Sequence, residues 1–129
     1  MKKLLIIVFL LLSIAVKSQI VWYQAVKLSV TNVSTGQVVK RDIPPTSVYY
    51  DTSNSRIVVF SSEKQIFDFV GKESFKEEEG YGIVYGYTTD TNYVTNYLVL
   101  KTSGIDYSTT LTITYNDVQI KYWMILTEK

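Results

Sequence analysis

The chain has 129 residues, with 13 basic and 12 acidic side chains and neither histidine nor cysteine. Without histidine and cysteine, a single chain cannot assemble a Ser-His-Asp or Cys-His catalytic site, and zinc, copper and haem lose their usual ligands. Disulfides are excluded as well, so the fold depends on packing, to which 11 tyrosines and two tryptophans contribute large rings. We expect neither a cofactor nor a metal site.

Residues 1–18 have the pattern of a signal peptide. Two lysines form a positive start, an unbroken apolar run follows from Leu4 to Leu12, and Val16 and Ser18 are the small residues of a cleavage site. The apolar run is much shorter than the roughly 20 residues of a membrane-spanning helix. We expect export to the periplasm or the medium, with residues 19–129 forming a single domain that does not span the membrane after cleavage.

The mature domain is expected to be nearly neutral. Three of the basic residues lie in the signal peptide, which holds no acidic residue, so the acidic residues roughly balance the basic ones that remain. No basic stripe is visible along the sequence, and nucleic acids and strongly anionic membrane surfaces attract such stripes. We therefore expect no nucleic-acid partner.

The mature sequence alternates apolar and polar residues with the period of two that is typical of β-strands, and no helical stripe is visible. Short polar turns separate most of the apolar runs. Pro44 and Pro45 are expected to stop the second strand, because proline lacks the N–H that an interior ladder needs. The polar stretch Gly71–Gly80 is expected to be a loop. The predicted strands are 21–33, 37–43, 48–51, 56–61, 64–70, 81–89, 93–102, 110–115 and 118–126.

This pattern predicts an all-β fold of about nine antiparallel strands. Consecutive hairpins favour an up-and-down meander. A meander of this length removes its exposed edges by closing into a barrel or by folding into a sandwich. We favour the barrel.

Two segments resemble small uncharacterised bacterial and phage proteins. Ile57–Phe69 (IVVFSSEKQIFDF) and Tyr115–Ile125 (YNDVQIKYWMI) are similar to strand segments of these secreted proteins, which are meander barrels of the lipocalin-like, or calycin, kind. The resemblance implies the barrel fold alone. The Gly-x-Trp hallmark of lipocalins is missing, because Trp22 follows Ile20 and Val21.

A pair of carboxylates is the catalytic arrangement that this composition still permits, as in glycoside hydrolases. Asp68 is a candidate because Phe67 and Phe69 flank it in an apolar strand. Its partner would be Glu73, Glu77, Glu78 or Glu79. The simpler interpretation is that Asp68 points partly to solvent and pairs with a lysine or arginine of a neighbouring strand. Glycosidases are also usually much larger than this chain, so we do not expect an enzyme.

Tyrosines are concentrated on two consecutive predicted strands. If these strands pair, the rings form a cross-strand ladder. Tyrosine offers a stiff contact surface with a polar tip, so such a face suits a protein partner, sugar rings or a second copy of the chain. The alternative is that these rings only stabilise the sheet. The candidate partner-binding residues are Tyr85, Tyr87, Tyr93, Tyr97 and Trp123.

The last two predicted strands present apolar residues that would face the interior of a barrel. A barrel of eight or more strands can hold one small apolar ligand, which would make the protein a carrier. Strands that are apolar on both faces, such as residues 122–126, favour instead a packed domain with an outer apolar patch. The leading hypothesis is a non-catalytic binding module, with a carrier second and a carboxylate-dependent hydrolase third. The candidate interior residues are Leu111, Ile113, Val118, Ile120, Tyr122 and Met124.

Overall fold

The structure, a computed structural model, describes residues 20–127, which form one antiparallel β-structure. The predicted signal peptide, residues 1–18, lies outside the described residues. Between residues 20 and 127 no helix is long and apolar enough to cross a membrane. The strands are β1 (Ile20–Asn32), β2 (Val38–Asp51), β3 (Arg56–Phe60), β4 (Lys64–Phe69), β5 (Ser74–Glu78), β6 (Tyr81–Thr89), β7 (Thr95–Ser103), β8 (Ser108–Thr114) and β9 (Val118–Thr127).

Eight of the nine strands close into a barrel. In this ring β4 pairs with β6, every other strand pairs antiparallel with the next one along the chain, and β1 pairs with β9 to close the ring. β5 lies outside the ring, because β4 and β5 follow one another along the same edge of β6. The all-β meander and the barrel predicted from the sequence are confirmed.

Strict alternation of side chains fills the barrel. In β8, Leu111 and Ile113 face the interior and are at most 1 % exposed, whereas Thr110, Thr112 and Thr114, which alternate with them, lie on the outer face. The largest core side chains come from six strands and include Tyr50, Phe67 and Leu98, each at most 1 % exposed. A void large enough for a water molecule would expose part of the side chains that line it. These side chains have almost no exposed surface, so the interior around them is packed.

β2 runs through both prolines, so the prediction that Pro44 and Pro45 stop a strand is wrong. The register between β1 and β2 shifts between Ala25 and Lys27, which places the prolines in a bulge of the ladder. On the opposite side, β3 pairs only with residues 48–51 of β2. Proline is tolerated here because a bulge and a free edge require no ladder hydrogen bond from its nitrogen.

The polar stretch that was expected to be a loop contains β5. Residues Ser74–Glu78 pair with β6, although four of these five side chains are exposed and only Phe75 packs against the core. Glu79 and Gly80 form the turn into β6 with φ values of 52° and 85°. Two consecutive positive φ angles match the twist of a tight hairpin. Backbone pairing therefore holds β5, and apolar alternation does not reveal it.

Candidate functional site

The tyrosines predicted to form a ladder form one pair of rings. Tyr87 and Tyr97 lie opposite each other on β6 and β7, with ring centroids 5.1 Å apart in an edge-to-face arrangement. Tyr85 lies on the same outer face, and Lys76 Nζ is 5.0 Å from its ring centroid. Tyr93 lies in the turn before β7, with φ 65° and 86 % of its surface exposed. A ladder of four rings therefore does not form.

Trp123 lies on the outer face of β9, in a row of side chains that crosses four strands. Thr110 of β8 is opposite Trp123 on one side, and Lys27 of β1 is opposite it on the other. Lys101 of β7 is in turn opposite Thr110. Directly opposite residues of an antiparallel sheet point to the same face, so these four side chains share the outer surface.

Lysine ammonium groups lie over the aromatic rings beside this row. Nζ of Lys40 and Nζ of Lys121 are 4.8 Å and 5.1 Å from the centroid of the Trp123 ring. Nζ of Lys101 is 4.5 Å from the centroid of the Tyr81 ring. A cation over a ring face at an exposed site contributes about 0.5–1 kcal/mol. These contacts hold three long, flexible side chains close to the sheet.

A groove of about 440 Å³ opens on this surface and is lined by both rings. We call it the Trp123 groove. Its volume lies in the range of small-molecule sites, roughly 300–1,000 Å³. The lining offers rings for stacking, ammonium groups for anions and hydroxyl groups for hydrogen bonds. The residues that matter for its chemistry are Tyr81, Lys101, Ser108, Thr110, Lys121 and Trp123.

The residues predicted to line an interior ligand site share the inner face of β8 and β9, and all of them except Val118 belong to the packed interior or contact it. Burial raises the pKa of the Tyr122 phenol, with the charge of Arg41 acting in the opposite direction. Val118, at the start of β9, is only half-buried. Four of the six are at most 6 % exposed: Leu111, Ile113, Tyr122 and Met124. The remaining one, Ile120, is partly buried and packs against the core.

Glu73 points into the barrel, unlike the exposed glutamates that follow it. It is 7 % exposed, and its Oε2 accepts a hydrogen bond from the hydroxyl of Tyr50. Its Oε1 is buried without a hydrogen-bond partner among the described residues. The backbone of Glu73 passes close to Gly86, where a Cβ would also lie 3.2 Å from the Phe69 ring. Burial and the neighbouring carboxylate raise the pKa of the Tyr50 phenol.

Asp68 pairs with an arginine, so the simpler interpretation of this residue is confirmed. Arg56 Nε of β3 donates to Asp68 Oδ1 over 2.6 Å, with the two side chains 39 % and 48 % exposed. Asp68 is thus at the surface and Glu73 in the interior, so the two do not share a cleft. Among the other candidate carboxylates, Glu78 forms an ion pair with Lys76, and its Oε1 is 3.5 Å from Lys76 Nζ. Between residues 20 and 127, no three acidic side chains are grouped to hold a metal ion.

A second aromatic cluster was not anticipated from the sequence. Trp22, Tyr49 and Phe60 lie together on the outer face of β1, β2 and β3, with ring centroids 5.0–6.2 Å apart. Trp22 and Tyr49 each alternate with core residues along their strands, and this alternation in the sequence could have placed both rings on the outer face. Their proximity depends on the pairing of β1 with β2, which alternation alone does not define. The lysines beside Trp123 escaped notice for the same reason.

A comparison of the chain with protein-family models, with curated proteins and with solved structures finds no match.

Proposed function

We propose that this chain is an exported, non-catalytic binding module that recognises a saccharide ligand in the Trp123 groove. The observation that carries the proposal is the convergence of Tyr81 and Trp123, each with lysine over its ring, on one groove of about 440 Å³. The apolar faces of sugar rings pack against aromatic rings, and sugar hydroxyls exchange hydrogen bonds with serine and threonine. The lining supplies both kinds of group.

The packed interior supports a binding site on the outer surface over a carrier site inside the barrel. A carrier needs a void of several hundred Å³ among its inward-facing residues. Leu111 and Ile113, which would line such a void, are at most 1 % exposed and contact the core of the barrel. A ligand of useful size would have to displace these side chains, at a cost typical of disrupting a packed core.

The surroundings of the acidic residues support binding over hydrolysis. A glycosidase uses two carboxyl groups that flank the scissile bond. Asp68 is engaged by Arg56 at the surface, and Glu73 is engaged by Tyr50 in the interior. The Trp123 groove has no acidic side chain in its lining.

Fluorescence of Trp123 tests the proposal directly. The chain has two tryptophans, so Trp22→Phe leaves Trp123 as the single indole reporter. The probes are neutral and acidic oligosaccharides of two to four sugar units, titrated into the mature protein. We expect a saturable change in Trp123 emission with at least one probe, and mass spectra of the probes after incubation that are unchanged.

The matched control is Trp123→Phe, which keeps Trp22 in the separate aromatic cluster as the reporter. Its emission should not respond to the probes, and its affinity for them should fall. A saturable response of Trp22 alone would move the site to β1, β2 and β3. Release of shortened oligosaccharides would make the protein an enzyme and overturn the proposal.

A further inference from the structure

Folding gathers four of the seven lysines of the described chain on one outer surface. Lys27, Lys40, Lys101 and Lys121 come from β1, β2, β7 and β9 and are far apart in sequence. Lys101 and Lys27 belong to the row that contains Trp123. Lys121 is opposite Ser29, and Ser29 is opposite Lys40, so these two lie in the neighbouring row. The positive charge of a nearly neutral chain is thus concentrated locally.

None of these four ammonium groups has a carboxylate partner within 4.0 Å in the described chain, where the ion pairs join Arg56 to Asp68 and Lys76 to Glu78. Asp42 is the acidic residue opposite Lys27 across the β1–β2 ladder, and its charge partly offsets that of Lys27. Asp42 is also two residues from Lys40 on the same face of β2, whereas no acidic residue is directly opposite Lys101 or Lys121 on the paired strands. A groove that concentrates charge of one sign attracts ligands of the opposite sign.

The aromatic rings position these charges. An ammonium group over a ring face still has N–H donors that do not point at the ring, and a ligand anion can accept hydrogen bonds from these. Lys101 is opposite Thr110 and Lys121 is opposite Thr112, so the two lysines lie on strands that are two spacings, or roughly 10 Å, apart and are offset by two residues along β8. Two cations on separate strands of one surface suit a ligand with more than one negative group.

We infer that the ligand of the Trp123 groove is an acidic saccharide, with carboxylate or sulfate groups bound by Lys101 and Lys121. This inference rests on the proposed function and specifies its ligand class. Carboxylate and sulfate oxygens accept charge-assisted hydrogen bonds from ammonium groups. Thr110 supplies a hydroxyl for the sugar, and Tyr81, 37 % exposed, supplies an accessible ring. Ser108 Oγ donates to Asp106 Oδ1 over 2.8 Å and can still accept a hydrogen bond from the sugar. The local confinement of the lysines favours a short saccharide over a nucleic acid, which needs an extended basic track.

The test compares acidic and neutral probes by calorimetric titration of the mature protein. The acidic probes are a tetragalacturonate and a sulfated heparin-type tetrasaccharide, and the neutral probe is maltotetraose. We expect the acidic probes to bind at least tenfold more tightly than the neutral one. Raising the salt from 0.05 M to 0.5 M should weaken their binding, since salt screens exposed charges over roughly 10 Å or less.

Substitutions distinguish binding in the Trp123 groove from a general effect of the protein's positive charge. Lys101→Gln and Lys121→Gln should each weaken acidic-probe binding about tenfold, the order of one charge-assisted hydrogen bond. Lys64→Gln is the matched control, because Lys64 Nζ also lies over a ring, 5.8 Å from the Phe60 centroid, but outside the groove. This control should change the affinity less than twofold. Thermal melts verify that all three variants are folded.

The outcomes distinguish the inference from the function on which it rests. Equal binding of neutral and acidic probes at Trp123 would overturn the acidic class and leave the saccharide function standing. An acidic peptide or a single-stranded oligonucleotide that binds more tightly than either acidic sugar would also overturn it. If no saccharide changes Trp123 emission, the proposed function itself fails. Equal losses with Lys64→Gln and Lys101→Gln would reduce the effect to net charge.

Discussion

Tyr50 and Glu73 make a buried polar contact. The hydroxyl of Tyr50 donates to Glu73 Oε2, while Oε1 has no hydrogen-bond partner among the described residues. A buried carboxylate is costly unless it is well hydrogen-bonded. Glu73 also lies between β4 and β5, so the contact ties the segment that leads into β5 to the interior. The Tyr50 hydroxyl therefore stabilises the carboxyl group of Glu73 at its buried position.

Removal of that hydroxyl should cost more than removal of the charge. Tyr50→Phe leaves the carboxylate without its donor, and we expect a loss of about 1–3 kcal/mol in the free energy of unfolding. Glu73→Gln keeps an acceptor for the Tyr50 hydroxyl and removes the buried charge, so its loss should be smaller. Urea denaturation at pH 7, followed by circular dichroism, measures both values.

Tyr87→Phe is the control for the loss of a tyrosine hydroxyl, because Tyr87 is 61 % exposed on the outer face. It should change stability by less than about 0.5 kcal/mol, as surface substitutions usually do. If Glu73→Gln proves more destabilising than Tyr50→Phe, the charge of Glu73 is itself stabilising, and our account of the contact is wrong.

At the scale of elements, the β6–β7 connection depends on one aspartate. Asp90 accepts hydrogen bonds from the backbone N–H groups of Asn92 and Val94, each over 2.9 Å, and from the Tyr115 hydroxyl over 2.7 Å. Burial alone would raise the pKa of Asp90, but these hydrogen bonds lower it below its ordinary 3.8. The side chain thus joins this turn to the end of β8.

Asp90→Asn should destabilise the protein in a pH-dependent way. A lowered folded-state pKa contributes stability above pH 3.8 that is lost as the pH falls through the folded value. We expect a loss of about 1 kcal/mol at pH 7. The difference from the wild type should shrink as the pH falls from 3.8 through the lowered folded pKa, because the wild-type carboxyl is then protonated in both the unfolded and the folded state. Urea denaturation at pH 7 and at pH 3 measures it.

Asp117→Asn is the matched control, because Asp117 is an exposed aspartate in the neighbouring β8–β9 turn. It should have little effect at either pH. If the two variants lose equal stability, or if the loss in Asp90→Asn is the same at both pH values, the hydrogen bonds to the Asp90 carboxylate do not account for its role.

The strands that were predicted well from the sequence are those whose alternation of apolar and polar residues is visible within the strand itself. β6 was predicted with its observed bounds, and the alternation of Leu111 and Ile113 with threonine identified the inner face of β8. β2 and β5 were misjudged because their evidence is not local. The two prolines interrupt a ladder only if its partner is in regular register, and here a bulge intervenes. β5 is polar because its one apolar contact, Phe75, is flanked by exposed residues. The predicted count of nine strands therefore rested on two compensating errors.

At the scale of the molecule, the candidate site depends on closure of the barrel. Trp123 was a candidate residue in the sequence, but Lys40 reaches its ring and Lys101 reaches the groove only because β1 pairs with both β2 and β9 and the other strands follow in order. Net charge averages over the chain and conceals this local concentration of lysine. Closure also supplies the packed interior, which removes water from several tyrosines at once.

Those buried tyrosines should make the whole molecule sensitive to alkali. Tyr23 and Tyr50 are 3 % and 0 % exposed, and burial raises the pKa of each phenol above its ordinary 10.0, with a hydrogen bond to Thr102 acting in the opposite direction on Tyr23. Their stabilisation is complete below pH 10.0 and is lost as the pH rises, because the unfolded chain then releases protons that the native state retains. Each tyrosine should lower the free energy of unfolding by about 1.4 kcal/mol per pH unit above that point.

Circular dichroism and tyrosinate absorbance, recorded together from pH 8 to pH 13, measure this effect. We expect the last tyrosines to ionise only as the β-structure is lost, in one transition. Tyr23→Phe removes one titrating group and should make the free energy of unfolding fall less steeply above pH 10, whatever its effect at pH 7. Tyr87→Phe, on the outer face, should leave that slope unchanged. Ionisation of every tyrosine while the β-structure persists would mean that alkali reaches the barrel interior without unfolding, and that Tyr23 and Tyr50 are not sealed by the core.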